Sequence, residues 1–463
     1  MSEQQSFFPL DAATTAIVKR YEDFRKGKAA GYFEVDELSD IIDYYLFKNM
    51  TKDCEGVLEL GNKLHPNSKE LKVKRARTCF EKGDVRNALK ILDNLNNDSD
   101  YETQILRIEL LEKMGRCKEA QMLANKLYED EIADDPDDND VICIDLANVF
   151  IAQKNYDMAM KWLIKGEQVS PQNIDIQMGI AMIYEQRQEY QKAEDIYHQI
   201  LDTDVFSAEV WFNLGHNYYS QGDYHKALDA FNYAAALDDK DTLTMLLRAH
   251  VLYQLCRFED AIELYKTYGE STGDIWQSNI LVAESYEQMQ KYDLAIEYFK
   301  KSLEEYPKNY NALIGIGSCL LSQEKYEESA VFIKRALQVQ DNEPDGWSYL
   351  AEAFVGMGNT LYALLAYVKS LTLNTEQPEV LFASANILFG EGYMQDALDI
   401  YLDLRKDNHQ FELIEVYIAA CYFSLGDTEN GIAYLNESMK IDYRTKDFFL
   451  KIAPQFYKFL PAD

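Results

Sequence analysis

Alternating oxygen-bearing side chains at Asp135, Asp137 and Asn139 have the spacing of the first ligands in a calcium-binding EF-hand loop. Counted from Asp135, such a loop needs a glycine at the sixth position and a bidentate glutamate at the twelfth. The sequence has Asp140 and Leu146 at these two positions. We therefore interpret residues 129–140 as a solvated acidic insertion, and we predict no bound metal there.

Two histidines and a glutamate could supply zinc ligands, because His216, His250 and Glu284 follow one another at intervals of 34 residues. Zinc holds its ligands about 2 Å from the metal. If each residue lies on its own helix, the neighbouring helix axes are about 8–10 Å apart. We therefore interpret these residues as polar side chains that line a groove, rather than as a metal site.

Two common catalytic and nucleotide-binding motifs are absent from the sequence, which contains no GxxxxGK[ST] or HExxH pattern. Gly315 and Gly317 have no third glycine that would complete a dinucleotide-binding loop. The seven cysteines show no CxxC spacing, as expected in a reducing compartment. We predict a protein that is not an enzyme and has no cofactor. The N-terminal residues lack the features of a signal peptide, so we expect a cytoplasmic location.

The charge of the chain limits its partners, since 79 acidic residues against 46 basic ones give a formal net charge of −33. A field of this sign repels phosphate groups, which argues against nucleic acids and anionic membranes as ligands. Two interpretations of the acidity stay open: it attracts a basic partner, or it serves solubility alone.

A repeat of 34 residues organises the chain. The segment 208–241 has a regular spacing of aromatic, small and turn residues at Trp211, Leu214, Gly215, Tyr218, Gly222, Tyr224, Ala227, Phe231 and Ala234. In this spacing it closely resembles the tetratricopeptide repeat. The same register holds, at constant intervals of 34, for nine repeats that begin at Asp140, Ile174, Ala208, Thr242, Trp276, Tyr310, Pro344, Pro378 and Glu412. Three less regular copies begin at Val35, Lys69 and Tyr101.

Small residues occupy position 20 of all twelve repeats, where the second helix of each pair (helix B) crosses the first (helix A). Position 8 of helix A is also small in the nine regular repeats. Glycine is frequent at position 15, in the turn between the helices, where a positive φ is useful. The resemblance implies an all-α fold, a right-handed α-solenoid superhelix of about twelve helix–turn–helix repeats.

Four segments follow from this register. Residues 1–34 should contain a leading helix, 35–139 three irregular repeats, 140–445 nine regular repeats, and 446–463 an apolar C-terminal capping helix that breaks or ends near Pro454. An alternative for the tail, with its many aromatic residues, is a docking motif for a partner.

The resemblance places positions 2, 5, 9, 12 and 13 of helix A on the concave face. Positions 5 and 12 are mostly apolar and position 9 is mostly polar, so we predict a partner-binding groove that includes Phe212, His216, Tyr219, Leu246, His250, Tyr253, Ile280, Ile314, Leu321, Phe382, Asn386 and Phe389. The alternative is that both apolar columns pack against neighbouring helices. Positions 2, 5, 6, 9 and 13 of the regular repeats contain no lysine or arginine, which argues against a clamp for acidic peptide tails.

The expected function is a scaffold that binds a peptide or helical segment of another protein along this groove. The alternative is an assembly protein that self-associates into a homo-oligomer through its terminal repeats and tail.

Overall fold

The computed structural model describes residues 12–28, 31–95, 100–134, 139–407 and 411–460. Within these ranges the chain forms helices and turns, with no β-strand. The helices are α1 (Ala12–Arg25), α2 (Val35–Phe47), α3 (Thr51–Leu64), α4 (Lys69–Glu81), α5 (Val85–Asp93), α6 (Tyr101–Lys113), α7 (Cys117–Asp134), α8 (Asn139–Ala152), α9 (Tyr156–Val169), α10 (Ile174–Gln186), α11 (Tyr190–Thr203), α12 (Ala208–Gln221), α13 (Tyr224–Leu237), α14 (Thr242–Gln254), α15 (Phe258–Thr272), α16 (Ile275–Gln288), α17 (Tyr292–Glu305), α18 (Tyr310–Ser322), α19 (Tyr326–Val339), α20 (Pro344–Gly356), α21 (Thr360–Leu373), α22 (Pro378–Gly390), α23 (Met394–Lys406), α24 (Ile414–Leu425), α25 (Thr428–Ile441) and α26 (Thr445–Ile452). A 3₁₀ helix follows at Pro454–Phe459.

The chain divides into two compact units, of which unit 1 ends at Asp223 and unit 2 begins at Tyr224. This boundary lies between α12 and α13, the A and B helices of the repeat 208–241. The two units are described separately below.

The A helices begin where the repeat register predicts. Nine of the twelve begin at the predicted residue, α8 and α16 begin one residue earlier, and α24 begins two residues later. Local chemistry accounts for many of these starts: the side chains of Ser68, Asn173 and Ser207, for example, accept hydrogen bonds from backbone N–H groups of the first turn. Pro344 and Pro378 begin α20 and α22, where a missing N–H leaves no hydrogen bond unmade.

Small side chains fill the crossings between the A and B helices. All twelve residues at position 20 and all nine at position 8 of the regular repeats are buried. In the repeat 310–343, a Cβ atom added to Gly317 would lie 2.5 Å from Cγ1 of Ile333. The hydroxyl of Ser329 donates a hydrogen bond of 2.8 Å to the Gly317 carbonyl at the same crossing. The predicted role of these columns is confirmed.

Every turn between an A helix and its B helix uses the left-handed conformation at position 15. Glycine occupies six of these positions, as predicted. The other six are not glycine, yet their φ values are also positive, between 57° and 60°, at Asn49, Lys154, Gln188, Cys256, Gln290 and Glu324. The sequence did not predict this conformation at the non-glycine positions.

Contacts between helices are local in the chain. Within each unit, helices pack mainly on their neighbours in the chain, and several A helices also touch the following A helix, as α8 touches α10 in unit 1 and α18 touches α20 in unit 2. Successive B helices make no contacts of similar extent within the described residues. In each unit, the A helices therefore form one layer and the B helices the other.

Candidate protein-binding surface

The A helices of unit 2 present the larger part of the predicted groove. We define the A-helix face of unit 2 as positions 5, 9 and 12 of α14, α16, α18, α20 and α22. Most of its residues are half-buried, including eight predicted ones: Leu246, His250, Tyr253, Ile314, Leu321, Phe382, Asn386 and Phe389. Ile280 differs, because it is buried in a core cluster with Ala283 and Phe299. Glu352 and Val355 are exposed.

In unit 1, the three predicted residues lie on α12. Phe212, His216 and Tyr219 are all half-buried. Nδ1 of His216 lies 3.2 Å from Oε2 of Glu185 on α10, and the hydroxyl of Tyr197 donates a hydrogen bond of 2.8 Å to Oε1 of the same carboxylate. His216 and Glu185 thus connect neighbouring A helices of unit 1.

Two polar residues of the A-helix face of unit 2 contact B helices. Oδ1 of Asn386 accepts a hydrogen bond of 2.7 Å from the hydroxyl of Tyr401 on α23. The ring of His250 lies 5.6 Å from that of Tyr265 on α15, and burial lowers the pKa of this histidine. The neutral imidazole is therefore favoured at this position.

Glu284 and Glu287 of α16 are half-buried carboxyl groups one turn apart. Burial, and then the charge of Glu287, raise the pKa of Glu284 to about 7. Burial also raises the pKa of Glu287, although its Oε1 accepts a hydrogen bond of 2.8 Å from the hydroxyl of Ser318 on α18. Tyr253 of α14 lies near both: its pKa is raised by burial and then by these two charges. The centre of the A-helix face therefore holds negative charge that water solvates poorly.

The A layer of unit 2 is predominantly acidic. Arg248 is the one lysine or arginine in the sequences of α14, α16, α18, α20, α22 and α24. The same helices contain six acidic residues, Glu284, Glu287, Asp345, Glu352, Glu379 and Glu415. This imbalance was not part of the sequence-based prediction, which noted only that basic residues were missing from certain positions.

An aromatic cleft of about 680 Å³ lies at the C-terminal end of this layer. Its walls include Phe382, whose ring is stacked on that of Phe411 with centroids 4.4 Å apart and an angle of 2° between the planes. Tyr417 meets Phe382 edge to face at 5.8 Å, and Phe448 of α26 meets Tyr417 at 5.5 Å. Charged residues at the cleft are Glu412, Arg444, Asp447 and Lys451.

The tail closes the A layer beyond this cleft. α26 packs on α24 in the place of a further A helix, and it ends at Ile452, close to the predicted break at Pro454. Val416 and Phe423, at positions 5 and 12 of α24, are buried beneath the tail residues Phe449, Phe456 and Phe459. The chain itself therefore covers the two apolar positions of this last A helix.

No group of three His, Cys, Asp or Glu residues in the described part of the chain is arranged to hold a metal ion. Asp135 and Asp137, the candidate calcium ligands, lie outside the described residues. The cysteines are unpaired, and Cys117 and Cys256 are exposed while four others are buried. Among the described helices, none is long and apolar enough to cross a membrane.

Comparisons with known proteins agree with the helix pairs. Profiles of the tetratricopeptide repeat match residues 178–208, 208–241, 287–353 and 418–445. The chain is a tetratricopeptide repeat protein, and membership of this family indicates a protein–protein interaction scaffold.

Individual relatives are distant. The BBSome complex member BBS4 of Bos taurus is 22% identical over 268 residues, which cover 57% of this chain and 51% of that protein. Protein bimA of Emericella nidulans is 21% identical over 165 residues, or 35% of this chain and 20% of that protein. The chain thus matches about half or less of these relatives' length. The crystal structure of a tetratricopeptide repeat protein from Parabacteroides merdae aligns with 53% of this chain and 97% of its own, at 14% identity and a TM-score of 0.44.

Proposed function

We propose that this protein is a scaffold whose unit 2 binds a basic, partly apolar segment of a partner protein along its A-helix face. The observation that supports this most strongly is the half-buried pair Glu284 and Glu287, set between apolar side chains such as Tyr253 and Leu321 in a layer with a single arginine. A lysine or arginine of the partner would restore the solvation that these carboxylates lose by burial.

Several repeats must take part for this binding to be useful. Burying about 400 Å² of apolar surface contributes roughly 10 kcal/mol. Association costs at least about 4 kcal/mol, which leaves a dissociation constant of tens of micromolar or weaker. Charge pairs on α16 and α20, added to apolar contacts on α14, α18 and α22, would raise affinity and fix the orientation of the segment.

The test uses a synthetic amphipathic helical peptide with lysines on one face and leucines on the other, labelled for fluorescence anisotropy. The triple substitution Glu284→Gln, Glu287→Gln and Glu352→Gln should weaken binding at least about tenfold. A matched control, Glu263→Gln, Glu270→Gln and Glu304→Gln, removes three exposed carboxylates from B helices and should change affinity little. An equal loss of affinity in the two triple variants would refute a specific site for a basic segment. So would a control peptide with glutamate in place of lysine that binds the wild-type protein as tightly as the lysine peptide does.

We propose further that the protein acts without catalysis in the cytoplasm and binds neither nucleic acid nor membranes. The net charge of −33 supports this, because it disfavours anionic ligands. Within this proposal, residues 35–139 and 140–445 are the repeat domains, 1–34 caps the N-terminal end, and 446–463 caps the C-terminal end.

A further inference from the structure

Helix α21 has an apolar outer surface that no other part of the described chain covers. Four of its side chains are more than half exposed: Leu361 at 67%, Tyr362 at 58%, Leu365 at 59% and Val368 at 56%. Leu361, Leu365 and Val368 follow one another at helical spacing, so they form one stripe along the helix. Lys369 is the single charged residue of α21.

The other B helices of unit 2 show that this stripe is exceptional. Leu361, Leu365, Val368 and Thr372 stand at positions 18, 22, 25 and 29 of their repeat. At the same four positions, each of α13, α15, α17, α19, α23 and α25 has at least one aspartate or glutamate, for example Glu263 in α15 and Asp399 in α23. The outer surface of a repeat is normally charged because it faces water, so an apolar stripe here indicates a surface that is covered.

We propose that the α21 stripe is the contact surface of a homodimer, in which α21 of one copy packs against α21 of a second copy. The four exposed side chains present on the order of 500 Å² of largely apolar surface, as large as the biggest patches on monomeric proteins. Two copies together would bury about 1,000 Å², which reaches the lower limit of specific interfaces. A surface that pairs with itself also satisfies twofold symmetry with no second site.

Charge favours the second copy over an acidic or basic partner. The stripe has no carboxylate to attract a basic segment, and one lysine is too little to hold an acidic one. Two copies with a net charge of −33 each repel one another, so the surface at which they meet has to be free of acidic residues. The α21 stripe meets this condition, and its apolar contacts persist when salt screens the repulsion between the copies.

The opposite salt dependences separate this dimer from the proposed binding of a basic segment. Raising salt from about 0.15 M to 1 M shortens the screening length from about 8 Å to 3 Å. The dimer should therefore tighten, whereas binding of the lysine-rich peptide should weaken. Failure of either proposal leaves the other unaffected.

Sedimentation velocity of the full chain, up to about 100 µM, tests the dimer, for which we expect a dissociation constant of order micromolar. Leu365→Glu places a charge at the centre of the stripe and should raise that constant at least about tenfold. Leu361→Glu with Val368→Glu gives a second, independent disruption. Phe206→Glu, at a residue of unit 1 that is 78% exposed, is the matched control and should leave the dimer intact.

A wild-type chain that stays monomeric at the highest concentration and salt overturns the proposal. A dimer that survives both stripe variants, or one that Phe206→Glu weakens equally, also overturns it. Circular dichroism of each variant shows whether the helices remain folded. The variants should bind the lysine-rich peptide as the wild type does, because the stripe lies on B helix α21 and the peptide site on the A helices.

Discussion

The ring of Phe423 lies face to face with that of Phe459, with centroids 4.5 Å apart and an angle of 2° between the planes. Phe423 belongs to the last A helix, and Phe459 to the 3₁₀ helix of the tail. Phe449 and Phe456 meet the same ring at 5.8 Å and 5.6 Å. The tail thus takes the place that a following repeat would occupy, and the part of the A layer that the tail leaves uncovered ends at α22.

Removing one ring of this contact should destabilise the C-terminal end of unit 2. We expect Phe459→Ala to lower the free energy of unfolding by about 1–2 kcal/mol, since a half-buried aromatic ring loses its stacking and its apolar contacts. Urea unfolding followed by circular dichroism measures the change. Tyr457→Ala, at a neighbouring residue that is 67% exposed, should have almost no effect. Equal effects would show that the stacked pair has no special role.

The left-handed turns predict that glycine is stabilising where the chain has another residue. Gln290 and Glu324 both have a φ of 58°, which costs a residue with a Cβ atom about 1 kcal/mol. Gln290→Gly and Glu324→Gly should therefore each raise the unfolding free energy, by up to about 1 kcal/mol. The reverse change, Gly358→Ala, should lower the unfolding free energy by a similar amount, because φ is 72° at this position. No atom lies within 4 Å of the added methyl group, so the change reports backbone strain without a steric clash. Thermal unfolding of the three variants decides the signs.

Two glycine-to-alanine substitutions, one at a crowded helix crossing and one in open space, should change the unfolding free energy in opposite directions. The added methyl group of Gly317→Ala would collide with Ile333, so we expect a loss of about 1–3 kcal/mol. Gly390, in the last turn of α22, has nothing within 4 Å of an added Cβ atom. Gly390→Ala should stabilise the protein by up to about 1 kcal/mol through helix propensity. A neutral Gly317→Ala would mean that the crossing can relax.

The raised pKa of Glu284 predicts a pH-dependent gain in stability when its charge is removed. The folded chain favours the protonated carboxyl, with a pKa of about 7 against an ordinary value near 4.5. Ionisation of this group therefore destabilises the fold progressively as pH rises from about 4.5 to 7. Glu284→Gln should stabilise the protein by on the order of 2 kcal/mol at pH 8 and by less at pH 5.5.

A contrasting variant controls for the loss of charge itself. A hydrogen bond from Arg20 lowers the pKa of Glu37, so its ionised form stabilises the fold above its ordinary pKa. Glu37→Gln should destabilise the protein by an amount that stays constant between pH 5.5 and 8. Urea unfolding at several pH values measures both variants. A flat difference for Glu284→Gln would contradict its assignment as a poorly solvated carboxylate.

The repeat register predicted most of the fold because each position has one packing role. Small residues at positions 8 and 20, turn residues at position 15 and proline at the start of α20 and α22 all lie in the predicted places. The left-handed Lys154 and Gln188 were not predicted, since neither residue type favours that conformation. The packing of the two helices imposes it on whichever residue stands there.

The candidate surface was less predictable because burial there depends on the neighbouring repeat. Ile280 and Phe423 fit the apolar pattern of the groove, yet one packs in the core and the other beneath the tail. The half-buried state of Glu284 follows from contacts that its own repeat does not reveal. The α21 stripe, in contrast, could have been found by comparing position 22 across the repeats. Most repeats have a charged or small side chain there, whereas the repeat that begins at Pro344 has Leu365.

The restriction of helix contacts to near neighbours in the chain has a consequence for how such a protein changes in evolution. Because the main helix contacts of the described residues join elements that are close in the chain, a whole 34-residue segment can be duplicated or lost while the remaining interfaces keep their geometry. Additional residues are tolerated within a repeat: the spacing grows to 39 between Tyr101 and Asp140, and α7, with 18 residues, is the longest of the described B helices. The same locality lets folding begin in any repeat and spread outward, with little entropy lost in closing long loops.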